Sequence, residues 1–266
     1  MRKDHKIIGT RKLYDKLQPF LSEHCIKIGR DALFDLLAAN NLLVRKRKRR
    51  VQTTYSNHWL RKYPNLIRDL IPGRINQLWV SDITYWKIET GNHLYISLIT
   101  DAYSRKIVGW QVAETMEAVE SLAALQMALA ALGGAAMPLQ LTHHSDRGIQ
   151  YCSNKYVKLL QDYDIGISMT ENGDPLENAI AERVNGIIKE EYLNHYQTNN
   201  LDEAKKQIAR AISLYNNDRP HMSIGNFTPN KIHITEKIKP ERLWKNYYKK
   251  SNTFESESDG KLLHNK

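Results

Sequence analysis

Apolar and polar positions change their period three times along the chain. Over residues 10–22, Leu13, Leu17, Phe20 and Leu21 recur at helical spacing. Pro19 falls inside that run and is predicted to end or kink the helix. Residues 30–40 carry Leu33, Phe34, Leu36 and Leu37 on a second apolar face, entered through Gly29. Two short amphipathic helices followed by a basic tract have the form of a helix-turn-helix-like module. Residues 51–75 keep no sustained period and contain Pro64 and Pro72-Gly73. That stretch is predicted to be a connector with one short helix near 57–63.

From residue 76 the pattern becomes α/β. Residues 78–88, 93–101 and 107–113 are β-branched or aromatic runs separated by turn signals such as Thr90-Gly91-Asn92, so they read as strands joined by antiparallel hairpins. Residues 117–132 are rich in Ala and Leu and close on Gly133-Gly134, a helix with its stop. A strand over 139–143, a helix over 154–162 and a short strand over 165–169 follow, then long helices over 176–193 and 201–216. The expected fold is a mixed sheet flanked by helices in the order β-β-β-α-β-α-β-α-α, preceded by the small basic helical module. From residue 251 the sequence is polar and aperiodic, a tail expected to fray.

Composition narrows the class without deciding it. At 266 residues, 41% hydrophobic and 26% charged, the chain has ordinary globular values. Cys25 and Cys152 cannot make a disulfide framework, and no C-x-x-C pair offers a structural zinc site. The first ten residues are charged, and the apolar run 122–137 is broken by Gln126 and Gly133-Gly134. It is shorter than the ~20 residues that cross a bilayer, so a soluble, intracellular protein with no membrane partner is expected. No G-x-x-x-x-G-K-[ST] run is present, which argues against an ATP-driven machine.

Charge is more informative. Residues 1–75 hold 18 of the 39 Lys and Arg but 6 of the 29 Asp and Glu. Their net charge is +12 against −2 for the remainder. The peak is Arg45-Lys46-Arg47-Lys48-Arg49-Arg50, whose mutual repulsion asks for a polyanion. Double-stranded DNA would reward such a tract through counterion release, with affinity but no sequence choice. A solvated linker or a targeting signal is the alternative for the tract alone.

Three acids stand out for their placement. Asp82 lies within an apolar strand, where a carboxylate is costly to bury without compensation. Asp146 closes a strand at the sheet edge that α/β proteins use for ligands. Glu182 lies on the 176–193 helix, whose buried face is Leu176, Ile180, Val184 and Ile187/Ile188. Asn178, Glu182, Asn185 and Lys189 form another stripe in steps of four, three and four. Three carboxylates from two strands and a helix suit two Mg²⁺ ions, with Mn²⁺ as substitute, because hard cations take oxygen ligands. Two such ions clamp the attacking and leaving oxygens of a phosphodiester. Each acid also has an ordinary reading, as a satisfied core carboxylate, a turn residue and a solvated helix position. His143-His144 beside Asp146 fit a structural or DNA-contacting role better than Mg²⁺ ligation. Trp244 with Tyr247-Tyr248 fits a packed cluster better than a base-stacking platform.

The same residues carry a resemblance. Val80-Ser81-Asp82-Ile83-Thr84-Tyr85, His144-Ser145-Asp146-Arg147-Gly148 with Gln150-Tyr151, and Asn178-Ala179 with Glu182 resemble the three acidic motifs of the retroviral-integrase-like transposases of bacterial insertion sequences. The 35 residues between Asp146 and Glu182 match that family's spacing. Lys189 matches its basic residue after the Glu. Asp101 with Ser104-Arg105 and Val108-Gly109-Trp110 matches the segment between the first two motifs. Tyr215-Asn216, Arg219-Pro220-His221 and Thr228-Pro229 match its C-terminal signature. Glu177 stands where an Asp is more usual, and Ile149 replaces a small polar residue. The N-terminal part, from Gly9 to Arg50, is similar to the helical module of a group whose transposase joins two overlapping reading frames. This chain resembles the second-frame product.

The resemblance implies an RNase H-like core in which Asp82, Asp146 and Glu182 hold the metals and Lys189 contacts DNA near the cleavage point. The implied reaction nicks the ends of an insertion sequence and joins the freed 3′-hydroxyl to DNA. Expected partners are the element's terminal inverted repeats, target DNA, other copies of the chain on DNA, and the upstream-frame protein as a separate subunit or frameshift fusion. The expected location is the bacterial cytoplasm, on the nucleoid. The expected divisions are a basic DNA-binding module over 1–50, a linker over 51–75, the catalytic core with its C-terminal helix over 76–232, and a partly disordered tail over 233–266. Two alternatives stay open: a structure-selective nuclease of the same fold, and a non-catalytic DNA-binding repressor.

Overall fold

In the computed structural model we describe residues 7–44, 58–132, 140–171, 177–235, 238–241 and 243. Helices α1 (Thr10–Glu23) and α2 (Arg30–Ala39) come first, then strands β1 (Leu78–Lys87), β2 (His93–Asp101) and β3 (Ile107–Ala113). Helix α3 (Ala118–Ala130), strand β4 (Thr142–Ser145), helices α4 (Ile149–Cys152) and α5 (Asn154–Asp162) and strand β5 (Gly166–Met169) follow. Helices α6 (Ala179–Ile187), α7 (Leu201–Asn217) and α8 (Pro229–Ile234) complete the order. No helix among the described residues is long and apolar enough to cross a membrane.

The five strands form one sheet in the order β3-β2-β1-β4-β5. The β1–β2 and β2–β3 pairs are antiparallel, and β4 and β5 are parallel to β1. This mixed sheet, covered on both faces, is the RNase H-like arrangement expected from the sequence. On one face Trp86, Leu94, Ile96, Leu98 and Val112 pack against Val184, Ile187 and Ile188 from the α6 region and Ile208, Ile212 and Tyr215 of α7. On the other, Trp79, Ile99 and Ile167 pack against Leu125 and Ala128 of α3 and Tyr151, Tyr156 and Leu160 of α4 and α5. The alternation along β1 assigns Trp79 to one layer and Leu78 and Val80 to the other.

The N-terminal helices enclose their own small core of Ile8, Leu13, Leu33 and Leu37. Both helices end with a non-glycine residue in the left-handed region, Cys25 at φ 54° and Asn41 at φ 55°. Backbone bonds from Ile26 to Leu21 and from Leu42 to Leu37, both 2.8 Å, close these ends. Helix α1 rests on the turn after α7: Lys16 Nζ donates to the Asp218 carbonyl at 2.7 Å and pairs with its carboxylate, and Asn226 donates to the Asp15 carboxylate. Lys12, half-buried near this contact, has its ammonium pulled down to about 7 by desolvation and the Arg219 charge, with Glu191 opposing.

Four expectations need adjusting. Helix α1 runs through Pro19 to Glu23, because a proline one turn from the end removes only one bond, to the Asp15 carbonyl. No helix forms over 58–63, where Leu60 and Tyr63 are drawn separately against the core. The strand placed at 139–143 begins at Thr142, since Gln140 at φ 63° cannot be extended. The helix expected over 176–193 is α-helical only to Ile187, then widens into a π turn over Ile188–Tyr192 and tightens over Leu193–His195. The basic tract Arg45–Arg50, Gly133-Gly134, Leu176 and the Trp244/Tyr247/Tyr248 cluster lie outside the described residues, as does almost all of the tail.

Helix and sheet approach each other very closely at Gly109 of β3. A Cβ there would lie 2.2 Å from the Ala124 carbonyl oxygen and 2.9 Å from the Ala128 Cβ. Gly109→Ala is expected to destabilise the protein by about 2 kcal/mol or more, since backbone must shift, and to lower Tm by several degrees. An unchanged melting curve would show that α3 does not sit this tightly on β3.

Candidate catalytic site

Strand register alone brings two of the three acids together. Leu78, Trp79 and Val80 pair with Thr142, His143 and His144, so Asp82 and Asp146, each two residues further on, fall side by side. Strand β4 stops at Ser145 while β1 continues to Lys87. Beyond Val80, β1 is paired only with β2. Asp82 is therefore mid-strand yet half-buried at an opened edge, where the sheet changes from antiparallel to parallel connections.

Each carboxylate is held locally. Asp82 Oδ1 accepts from the Ile83 N–H at 2.9 Å, and its Oδ2 accepts from Asn185 Nδ2 at 2.8 Å. Asp146 Oδ1 accepts from the Gly148 N–H at 2.9 Å, and a Cβ at Gly148 would lie 2.9 Å from that oxygen. Burial and then the Asp146 charge push the Asp82 carboxyl up to about 7, with a smaller contribution from Glu182. Its two hydrogen bonds act the other way without restoring the usual value.

Helix α6 faces this edge with the stripe anticipated from its spacing. Asn178 Nδ2 donates to the Ser81 carbonyl at 2.9 Å, Asn185 reaches Asp82, and Lys189 Nζ donates to Thr84 Oγ1 at 3.2 Å. The Lys189 ammonium also lies 4.3 Å from the centre of the Tyr85 ring. Glu182, in the first turn of α6, is exposed and adds negative potential at Asp82. The wider π turn after Ile187 leaves Lys189 facing β1 and Glu191 facing Arg219.

The donor set is all-oxygen and anionic, which suits a hard divalent cation. Buried polar atoms near it have no partner, among them Asn185 Oδ1, Asn178 Oδ1, Arg147 Nε and the Tyr151 hydroxyl, the last within the fields of Asp82 and Asp146. A raised Asp82 carboxyl beside Asp146 and orphaned polar atoms near it fit a hydrated ion. Among the described residues, however, no three His, Cys, Asp or Glu side chains are gathered closely enough to hold one. Asp82 and Asp146 are the closely coupled pair, and Glu182 stands further off.

His143 and His144 are sealed within the sheet layer. His143 Nε2 meets Ser81 Oγ at 2.6 Å and the Tyr156 hydroxyl at 2.9 Å, and His144 Nδ1 meets Ser168 Oγ at 2.8 Å. Burial lowers their imidazoles to about 3 and about 4, so both are neutral supports of the strand. Sequence spacing missed the ion pair behind Lys189. Arg219, fully buried, donates from Nε to Glu191 Oε2 at 2.7 Å and from its terminal nitrogen to Oε1 at 2.5 Å. Burial pushes the Glu191 carboxyl up, but the Arg219 hydrogen bonds and charge outweigh it and hold it below the usual value. Arg219 was visible within the C-terminal signature. Glu191 had no signal, being one acid among several on a helix.

Residues 72–175 and 163–229 match the family described as Integrase core domain. The chain is 38% identical over 226 residues to the "Insertion element IS600 uncharacterized 31 kDa protein" of Shigella sonnei, covering 84% of this chain and 82% of that one. It is 32% identical to the "Transposase for insertion sequence element IS629" of the same organism, covering 85% of this chain and 73% of the relative. In structure it is similar to a chain of the simian T-cell lymphotropic virus intasome in complex with PP2A regulatory subunit B56 gamma. There the TM-score is 0.54 at 18% identity, covering 89% of this chain and 78% of that one. Fold and site define an RNase H-like protein with an acidic sheet edge. The chain belongs to the integrase-core transposases of insertion sequences.

A pH dependence follows from Asp82. Its folded-state pKa is raised, so between about 4 and 7 the unfolded chain releases a proton that the folded one keeps. Stability from this group is full below about 4 and lost as pH rises through about 7. In a chelator-containing buffer, Asp82→Asn should remove that fall, so the Tm difference between variant and wild type grows in the variant's favour from pH 4 to pH 7.5. His143 and His144 act oppositely but cancel in the comparison. A difference independent of pH would show that Asp82 is not under this pressure.

Proposed function

We propose that this chain nicks the ends of its insertion sequence and transfers the freed 3′-hydroxyl to target DNA, with Asp82, Asp146 and Glu182 as catalytic residues. The observation that carries this is the pairing of Asp82 with Asp146 at the opened β1 edge, faced by a helix that supplies Glu182, Asn185 and Lys189. Mg²⁺ would be held by the three carboxylates, as two ions, with Mn²⁺ able to substitute. Its chemistry is activation of the attacking oxygen and neutralisation of charge on the leaving one.

The chain's own residues do the remaining work. Asn185 fixes the orientation of the Asp82 carboxylate, and Gly148 fixes that of Asp146. Glu182, exposed on the first turn of α6, would complete the acidic set. Lys189, an ammonium with no lone pair to give a metal, lies beyond Asp82 over Thr84 and Tyr85 and holds a DNA phosphate near the cleavage point. Residues 1–50 supply charge for DNA, centred on Arg45, Lys46, Arg47, Lys48, Arg49 and Arg50. The partners in this reading are the terminal inverted repeats, target DNA and further copies of the chain in the bacterial cytoplasm. The upstream-frame product would join as a subunit or fusion.

Glu182→Gln keeps shape and removes charge. It should reduce both nicking and strand joining by roughly 10²–10³-fold or more, measured on duplexes carrying the element ends with Mg²⁺, while leaving the fold and DNA binding intact. Asp162, exposed and paired with Lys158 at 3.1 Å, is the control, and Asp162→Asn should stay near wild type. Strand joining by Glu182→Gln at the wild-type rate overturns the assignment. Nicking without joining in the wild type identifies a nuclease instead.

The charge assignment is tested separately. Replacing residues 45–50 with Gln should flatten the dependence of log K on log salt by about 0.9 for each phosphate no longer neutralised. An unchanged slope would place the DNA-binding charge elsewhere.

A further inference from the structure

Trp59 is the most exposed large apolar side chain among the described residues, at 88%. A single exposed hydrophobic is ordinary; what sets this one apart is how it is held and where. His58 Nε2 donates to the Arg147 carbonyl at 2.8 Å, one residue from Asp146. On the other side of Trp59, Leu60 and then Tyr63 pack against the core that contains Tyr151, Cys152 and Met169. Pro64 and Leu66 go on to bond with β5, through Met169 N–H to the Pro64 carbonyl at 3.2 Å and Leu66 N–H to Ser168 Oγ at 2.9 Å. With both flanks fastened inward, Trp59 is held out in water beside the loop that carries the second acid.

Its neighbours are cationic. Arg61 and Lys62 are exposed, and the charges of Lys62 and Arg147 both reach Cys152 at the end of α4, the helix that follows that loop. Lys62 Nζ also donates to the His58 carbonyl at 3.2 Å, which keeps its charge within a residue of the indole. A rigid aromatic face bordered by Lys and Arg is the pairing that binds unpaired nucleotides, with bases stacked on the ring and phosphates on the cations. A base within a duplex has both faces covered, so the face on offer here fits a base that has left the stack.

We infer that Trp59 is a stacking residue for an unpaired DNA base next to the scissile phosphate, with Arg61, Lys62 and Arg147 taking the adjoining phosphates. This rests on the transposase reading and adds to it a preference for locally opened DNA.

The test uses the full chain carrying Glu182→Gln, so that binding is read without turnover. The probes are a 20-base-pair duplex with a two-nucleotide unpaired flap containing 2-aminopurine, and the same duplex fully paired. With Trp59 present, the flap fluorescence should be quenched on binding. Trp59→Ala should abolish the quench and weaken flap binding roughly tenfold, leaving paired-duplex affinity within about twofold. Trp59→Phe should restore most of both. Undiminished quenching by Trp59→Ala, equal loss on both duplexes, or a change of oligomeric state with flap binding intact would overturn the inference; the last would mark Trp59 as a protein contact. If wild type joins no strands yet the quench depends on Trp59, only the catalytic reading fails. If joining holds and the quench ignores Trp59, only this inference fails.

Discussion

The unequal pairing of β1 is the constraint on which the rest of the molecule depends. On one side β2 accompanies the strand from Trp79 to Lys87, while on the other β4 accompanies it only from Leu78 to Val80. Up to that point the strand is fully backed and reads as core, with Trp79 and Val80 buried. Beyond it one edge opens, and Asp82 sits where the apolar layer stops excluding water. A β4 longer by two residues would carry Asp146 into the sheet and shut Asp82 in with it. Two uncompensated carboxylates within a paired layer would cost far more than any local hydrogen bonds return. The short strand is thus the condition for having acids here at all.

Helix α6 and the segment after it answer that opening. Asn178 binds the β1 backbone at Ser81, Asn185 binds Asp82, and Lys189 lies over Thr84 and Tyr85, so one helix face tracks one strand edge in order. The apolar positions of the same helix are pressed into the core between the sheet and α7. Behind the π turn, the Glu191–Arg219 pair ties this region to the end of α7. Buried ion pairs contribute little net stability, but their geometry fixes register. Since Lys16 of α1 binds Asp218 next door, the basic module and the Lys189 segment are fastened to one turn of chain.

Strands, helices and the acid positions were legible in the sequence because their signals are local. Period-two runs bounded by turn residues gave β2 and β3 their limits, and the motif acids Asp82 and Asp146 are the two that strand register brings side by side. The polar stripe on α6 was legible too, since helical geometry fixes which positions share a face. What was not legible depends on a backbone angle or on partners distant in sequence. The late start of β4 follows from the left-handed backbone of Gln140. The loss of α-helix after Ile187 accompanies an acid that faces an arginine 28 positions away. Continuation of α1 through Pro19 shows the opposite case, where a strong local signal loses to a helix already fixed by its buried first turns.

The connector between the module and the sheet has one more effect. Through Pro64, Asn65 and Leu66 it lies against the outer side of β5, with the Pro64 carbonyl taking the Met169 N–H, Leu66 N–H reaching Ser168, and Glu171 binding both Asn65 N–H and Arg68. An unpaired strand edge is a template on which another chain can extend the sheet, and proline and charge are common means of blunting it. Here the covering segment places a proline, which has no N–H to offer a newcomer, directly over that edge. The covering segment thereby keeps one border of the sheet from recruiting another chain by strand addition, and protection from aggregation depends in part on a few residues of connector.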